Sequence, residues 1–330
     1  AFNVVSSFDE ETKTVLMEWP AYDSLITDMS RRYEIIFGED VFEQAAEEIR
    51  EELTQIEENA FGDSLALPSE LAEIDSTENA IPLQINHRVE LALKYFQTKG
   101  RGVFTRWLER SGKYEQLVKS VLREHDLPED LFYLAMIESN LTNSISPKGA
   151  TGFWQFMEAA GKKYGLEING QIDERYHVEK STEAACKYLQ DSYNMFDSWI
   201  SAAASYNMGQ EGMTNQRERQ KAKNYFNLVL NYETSRFVGR IVAFKYIMQD
   251  PPKFGFNIKE DDLYKPLEYY EITLKNSVKD FADFASSYGI NYYTLKMFNP
   301  WLRENYLQNN GGINYTIKLP EEGSIEIIRE

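Results

Sequence analysis

From about position 81 to 256, apolar residues recur at intervals of three and four, and this spacing predicts helices. Val89–Gln97, Tyr114–His125, Leu131–Glu138, Ser181–Asp191, Trp199–Tyr206 and Thr234–Met248 all carry it. Leu127-Pro128-Glu129-Asp130 reads as a helix start, with proline at the first helical position and acids in the first turn. Ser139 and Asn140 read as terminators, and Pro251-Pro252 closes the last helix. No strand alternation stands out in this stretch. After position 264 the pattern changes. Tyr269–Thr273 reads as a strand, Val278–Tyr288 as a helix ending at Gly289, Thr294–Phe298 as a second short helix, and Tyr315–Pro320 as a closing strand. Upstream, Val41, Phe42, Ala45, Ala46, Ile49, Leu53 and Ile56 fall on a helical spacing whose polar side is nearly all Glu. Ser64–Pro82 holds two prolines and several Ser/Thr, and reads as a linker. The expected fold class is mainly α. It comprises an acidic helical N-terminal region with its linker (1–80), an α-helical domain (81–256) and a small α+β module (264–330).

Charge sharpens this division. The chain of 330 residues has a net charge of -18, with 42% hydrophobic and 14% aromatic residues, enough to bury a core. Residues 1–80 hold 21 acidic and 4 basic residues, and the remaining 250 hold 32 and 31. The acid excess therefore belongs to one segment, whose ordinary meaning is a solvated helix face. Phosphate binding needs a basic face, so nucleic acid is not expected as a partner. The same balance argues against peripheral attachment to an anionic membrane. No stretch has the roughly 20 apolar residues that a membrane-spanning helix requires. The sequence begins at Ala1 with no methionine, which suggests a processed or truncated N-terminus from which a lipid or membrane anchor has been removed. The lone Cys186 lies in a helical run and reads as a small buried residue rather than a reactive thiol. Nothing in the sequence sets the oligomeric state.

Glu138 stands out chemically. The seven residues before it, Leu131 to Ile137, carry no charge. A carboxylate at the end of such a run is costly to bury ionised, and burial raises its pKa. A neutral carboxylic acid near pH 7 is what general-acid cleavage of a glycosidic bond needs. Taken from the helix alone, a solvent-facing helix end is the plainer reading of Glu138. The loop that follows, Ser139 to Met157, contains a proline and two glycines that let backbone approach a ligand closely. Gln155 both donates and accepts hydrogen bonds, as sugar amides and hydroxyls require. Phe153 and Trp154 are either flat faces for a pyranose ring or a buried aromatic pair. Asp173 and Glu174 are candidates for a second acid on composition only, with capping or salt bridging the plainer role. His87, His125 and His177 are far apart and read as ordinary polar residues. No His/Cys/Asp cluster has metal-ligand spacing, and no cofactor is expected.

These residues resemble a family. Glu138-Ser139, followed by Ser146 and by Gly149-Ala150-x-Gly152-x-x-Gln155, resembles the catalytic stretch of the lytic murein transglycosylases with a goose-type lysozyme-like domain. Ala204-Ser205-Tyr206-Asn207-Met208-Gly209 and Glu233-Thr234-Ser235-Arg236-Phe237-Val238 resemble two further blocks of that family, in the same order. Arg106–Ser111, Leu127–Leu131 and Asp173-Glu174-Arg175 are similar to its membrane-bound D subgroup. The likeness covers about residues 81–256.

It implies a lysozyme-like helical domain and cleavage of the β-1,4 bond between N-acetylmuramic acid and N-acetylglucosamine in peptidoglycan. Glu138 would act first as acid and then as base on the muramoyl 6-hydroxyl, giving a 1,6-anhydro product. Ser146, Gln155, Tyr206 and Asn207 would bind or orient the sugar, and Glu233 would support the site. The implied partner is the glycan strand and the implied place the bacterial cell envelope, periplasmic and with an outer-membrane anchor as one option. Phe237 stands where the family has Tyr, Ser235 where it has Arg, and Met208 where it has a small residue. These departures bear on substrate preference and rate more than on reaction type. Tyr270–Pro320 resembles a degenerate LysM domain, a glycan-binding module, with Lys275-Asn276-Ser277 in place of its usual Gly-Asp-Thr start; a purely structural cap is the alternative. Two alternatives remain open: a goose-type lysozyme that admits water, and a catalytically weak peptidoglycan-binding protein.

Overall fold

The computed structural model describes Ile81 and residues 86–323. The helix expected at Val41–Ile56 and nearly all of the linker lie outside these residues. The described chain is mainly helical. It runs through α1 (His87–Gln97), α2 (Arg101–Glu124), α3 (Phe132–Ser139) and α4 (Glu158–Lys163). Next come α5 (Val178–Phe196), α6 (Trp199–Met208), α7 (Gln210–Gln220) and α8 (Tyr232–Gln249). The C-terminal part contributes β1 (Tyr269–Leu274), α9 (Phe281–Ser287), α10 (Tyr292–Phe298) and β2 (Tyr315–Pro320). Contacts group these residues into two compact units. One takes residues up to 106 together with 192–258, and the other takes 107–191 together with 259 onward.

In the first unit, Val89, Leu93 and Phe96 line one face of α1 and are fully buried, as their i, i+4, i+7 spacing dictates. That face packs against α8. Four rings, Phe96, Phe104, Phe244 and Phe256, meet at centroid separations of 4.7 to 5.0 Å, in tilted and edge-on contacts. Helix α6 is apolar almost all round, with every residue from Trp199 to Ser205 buried. Its start is set by Ser198, whose Oγ accepts from the Ser201 amide at 3.2 Å.

In the second unit, β1 and β2 form a two-stranded antiparallel sheet with Tyr269 opposite Pro320 and Leu274 opposite Tyr315. Two strands alone are marginal in water. Here α9 and α10 cover the sheet, and Phe281, Leu295, Ile317 and Leu319 are essentially inaccessible. The core does not stop at the module. Ile172 and Tyr176 belong to the same buried cluster as Trp301, Leu302 and Tyr315. Backbone joins them as well: Asp173 N donates to Trp301 O at 2.9 Å and Arg303 N to Gln171 O at 2.8 Å. Asn299, fully buried, crosslinks the module. Its Nδ2 donates to Leu295 O (3.0 Å) and Lys318 O (2.7 Å), and its Oδ1 accepts from Lys318 N (2.8 Å).

A buried carboxylate adds a second tie. Glu179, at the start of α5, lies 3.1 Å from His177 Nδ1, pairs with Lys318 of β2 and accepts from the Tyr269 hydroxyl at 3.3 Å. Burial pushes its carboxyl up. The hydrogen bond from His177 and the charge of Lys318 outweigh burial and hold it at about 2.

Several expected elements differ in extent. The helix read as Tyr114–His125 is the second half of the 24-residue α2. Gly102 and Gly112 weaken the pattern upstream; at Gly112 a Cβ would come within 2.8 Å of the Leu263 side chain, so glycine is required for that contact. Pro128 does not open α3. It precedes a 3₁₀ turn, Glu129–Leu131, and the α-helix begins at Phe132. Val278 bridges to Leu307 instead of starting a helix; Asp280 caps α9, accepting from Ala282 N at 2.6 Å. Helix α7 was not expected, because Met213 is its one buried residue and leaves no apolar period to detect.

Replacing Asn299 with Ala leaves the Lys318 amide and two carbonyls without their partner, and should destabilise the second unit by about 2–3 kcal/mol, measured by thermal or urea unfolding. Glu179 is lowered in the folded state, so its contribution is present above its ordinary value of about 4.5 and is lost as pH falls toward about 2. Acid titration of unfolding should show a loss on the order of 3 kcal/mol across that window, absent in Glu179→Gln.

Candidate active site

Helix α3 is buried from Phe132 to Met136, so the protein interior surrounds all but its last turn. Glu138 sits on that turn and is half-buried. The helix ends there because Asn140 turns left-handed, at φ 56°, and its amide returns to Met136 O at 2.9 Å. Leu141 follows at φ 55°. Two successive left-handed non-glycine residues cost roughly 1–2 kcal/mol each. Their surroundings hold them in place: Leu141 is 1% exposed, and the Arg110 guanidinium donates to the Asn140 carbonyl. Gln155 is also left-handed, at φ 49°. Of six such non-glycine residues among those described, three fall within the segment that begins at Asn140 and ends at Gln155. Backbone strain concentrates at functional sites when the surrounding structure enforces it.

The loop after Glu138 is built on its own hydrogen bonds. Thr151 bridges to Ile145 on one side and to Phe156 on the other. Ser146 Oγ accepts from Ala150 N at 3.0 Å. Gln155 Nε2 donates to Gly152 O at 2.8 Å and to Ser144 O at 3.1 Å. The structure thus brings Ser146 and Gln155 into one small loop, both half-buried, with the Gln155 amide nitrogen engaged inside it.

Arg175 anchors this loop. Its Nε and one terminal nitrogen donate to the two Asp173 oxygens at 2.9 and 2.7 Å, a bidentate pair. Its other terminal nitrogen donates to Phe156 O at 3.2 Å and Gly149 O at 3.4 Å. Its own carbonyl lies against Gly152, where a Cβ would come within 1.9 Å of that oxygen, at φ +82°. The close backbone approach at Gly152 is made to Arg175. Arg175 was missed as an organiser; its signal is the Asp-x-Arg spacing, which sets a fork beside a carboxylate.

Two other expectations resolve. Phe153 and Trp154 are 1% and 0% exposed, so they are core rings and offer no face to a sugar. Trp154 Nε1 donates to Thr182 Oγ1 at 2.8 Å, and Phe153 packs edge-on against Tyr114. Asp173 caps a 3₁₀ turn and pairs with Arg175, while Glu174 pairs with Lys180 and accepts from Glu167 N at 2.8 Å. Both have the structural role.

Tyr206, Asn207 and Glu233 lie in the other compact unit. Tyr206 and Asn207 are the first half-buried positions of α6 after its buried run. Asn207 Nδ2 donates to Glu233 Oε1 at 2.9 Å, and its Oδ1 accepts from Thr234 Oγ1 at 2.7 Å. The amide is therefore fixed in orientation, with Asn231 capping the helix that presents Glu233 and Thr234. Phe237 is buried on the same helix. Burial pushes the Cys186 thiol up to about 12, which makes it a poor nucleophile. Among the described residues, no group of three or more His, Cys, Asp or Glu is placed to hold a metal ion. Nor is any described helix long and apolar enough to cross a membrane.

Comparison with known proteins bears on both parts of the chain. Residues 118–229 match the Transglycosylase SLT domain, and residues 270–323 match the soluble lytic transglycosylase C-terminal LysM-like domain. The first match contains Glu138, Ser146, Gln155, Tyr206 and Asn207; Glu233 falls just beyond it. The chain is 26% identical over 208 residues to membrane-bound lytic murein transglycosylase D of Escherichia coli strain K12, covering 61% of this chain and 45% of that protein. The same figures hold for its counterpart in E. coli O6:H1. It is 31% identical over 108 residues to a putative tributyltin chloride resistance protein of Alteromonas sp. strain M-1, covering 32% and 52% respectively. The chain spans about half the length of the curated relatives it matches.

Gly152→Ala should be among the most damaging single-atom additions in this loop, costing about 3 kcal/mol or more in unfolding free energy. Gly149→Ala, also left-handed but with open space around it, should cost about 1 kcal/mol. Paired urea melts compare the two.

Proposed function

We propose that this chain, which carries a transglycosylase SLT domain and a LysM-like domain and is distantly homologous to membrane-bound lytic murein transglycosylase D, cleaves peptidoglycan glycan strands as a lytic transglycosylase. The observation that carries the proposal is the position of Glu138. It lies inside the SLT match, on the last turn of a buried apolar helix, and is followed at once by strained backbone that fixes its surroundings.

In this proposal Glu138 protonates the oxygen linking N-acetylmuramic acid to N-acetylglucosamine, and the bond to C1 of muramic acid breaks. The resulting carboxylate then removes the proton of the muramoyl 6-hydroxyl, whose oxygen closes onto C1. The acid is regenerated, no water is consumed, and the product carries a 1,6-anhydro ring. The internal hydroxyl acts at high effective concentration, so one carboxylate suffices where ordinary glycosidases use two. The structural roles of Asp173 and Glu174 agree with this economy. Ser146 and Gln155, set in the loop after Glu138, and Tyr206 and Asn207, on α6, would contact the sugar. Glu233 would act through Asn207, holding its amide in one orientation. The LysM-like domain would hold glycan. The substrate places the protein in the bacterial cell envelope, in keeping with its membrane-bound relatives.

Purified protein incubated with peptidoglycan sacculi should release muropeptides with 1,6-anhydro ends, each one water lighter than the reducing-end form by mass spectrometry. Glu138→Gln should fold normally and lose about 1,000-fold or more of this activity. Cleavage by Glu138→Gln at the wild-type rate would remove the assignment, and reducing ends alone would convert it to a hydrolase.

A further inference from the structure

Glu138 is the next-to-last residue of α3, so whatever fixes the end of that helix fixes the acid. The last carbonyls of a helix have no partner inside it and must find one elsewhere. Met136 O accepts from Asn140 N at 2.9 Å. Ser139 O accepts twice from Thr142, from the amide at 3.0 Å and from the hydroxyl at 2.6 Å. Asn140 O accepts from the guanidinium of Arg110. The first three bonds are made by the segment itself. The fourth comes from another element, because Arg110 lies 30 residues earlier, on α2.

The stretch of α2 that carries Arg110 is firmly placed. Glu109 O accepts from Tyr264 N at 2.7 Å, which ties the helix from outside. Ser111 is buried, and its hydroxyl donates to Leu108 O at 2.7 Å. Gly112 abuts the Leu263 side chain, with no room for a Cβ. A side chain on this stretch therefore projects from a fixed base. Arg110 is half-buried, and its bond to Asn140 is the one polar contact it makes among the described residues. Buried arginines ordinarily pair with carboxylates. This one is directed instead at a backbone carbonyl just past a helix C-terminus, where the partial negative charge of the helix end favours a cation.

The bond acts on strained backbone. Asn140 and Leu141 are left-handed at φ 56° and 55°, and their ordinary tendency is to leave that region. Without the clamp, the turn relaxes and the last turn of α3 moves with it. An acid must lie within hydrogen-bond reach of the oxygen it protonates, so small displacements of this turn are felt in the rate. The loop bonds of Ser146 and Gln155 are made without Arg110, so the groups that would hold sugar keep their places.

We infer that Arg110 is a positioning residue for glycan cleavage: by holding the carbonyl of left-handed Asn140, it sets the direction in which Glu138 presents its proton. This role presupposes that Glu138 is the acid, but it can fail while that assignment stands. Arg110 acts through the helix end and not on the reacting atoms.

The test uses the full chain acting on soluble, uncrosslinked peptidoglycan strands, with new chain ends counted by mass spectrometry whichever kind forms. Rates are expressed per folded molecule, the folded fraction coming from urea melts. Arg110→Met keeps the aliphatic bulk and removes both donor and charge. Its kcat should fall roughly 10- to 100-fold, with KM within about twofold of wild type. Arg110→Gln carries the same expectation and decides the matter if Arg110→Met does not fold. Arg110→Lys, which keeps a charged donor, should recover part of kcat. Asn140→Gly in the Arg110→Met background should also recover part of it, because glycine adopts the left-handed turn without strain. A role confined to stability predicts full kcat per folded molecule. Full kcat without Arg110, a loss confined to KM, or no recovery by either Arg110→Lys or Asn140→Gly would each overturn the inference and leave Glu138 as the acid. Strands left intact by the wild-type protein would overturn both together.

Discussion

A single guanidinium holds the loop that follows the candidate acid. Arg175 is buried, and a buried cation is tolerated only when its hydrogen bonds are met. Asp173 accepts two hydrogen bonds from it, and the carbonyls of Phe156 and Gly149 accept two more. The hydrogen bond to Asp173 raises the Arg175 pKa further, against the opposing effect of burial, so the charge is permanent. The loop is irregular, with only isolated bridges at Thr151, and it sends Phe153 and Trp154 into the core. Its own hydrogen bonds give it shape, and the charged fork of Arg175 ties it to the next structural segment. The left-handed Asn140 and Leu141 at the start of the loop are held separately, by the burial of Leu141 and by Arg110.

The two groups of candidate residues are stabilised in different ways. Around Glu138, Ser146 and Gln155, positioning comes from strained backbone and loop hydrogen bonds. At Asn207 it comes from side chains: a carboxylate and a hydroxyl fix both ends of one amide, on helices that are otherwise buried. An amide held at both ends has lost its flip freedom before any ligand arrives. That lowers the entropy cost of binding, at the expense of adaptability.

Much of this was legible in the sequence. The long apolar helices were readable because buried faces leave a period, as in Val89, Leu93 and Phe96. The Glu138 helix and its stop at Ser139-Asn140 were readable because a charge after seven uncharged residues is conspicuous and Asn tolerates the left-handed turn. Helix α7 was invisible because it buries one side chain. The first half of α2 was obscured by Gly102 and Gly112, and the reason for Gly112, its contact with Leu263, lies far along the chain. The role of Phe153 and Trp154 was undecidable from sequence, since a ring that stacks on sugar and a ring that packs in a core are the same residue type. Burial settled it. Arg175 was half hidden: the Asp-x-Arg spacing marks its pairing with Asp173, but its other two partners are backbone carbonyls, which carry no sequence signature.

Ile172 and Tyr176 complete the hydrophobic interior of the C-terminal module. Small modules are usually pictured as beads that recombine freely along a gene. This LysM-like one leaves part of its filling in another stretch of chain, before α5. Transplanting it to a new host would expose Leu302 and Tyr315, and cutting it away would expose Ile172 and Tyr176. The two stretches are therefore one packing unit: a change of volume at either apolar surface is felt at the other, despite a gap of more than a hundred residues.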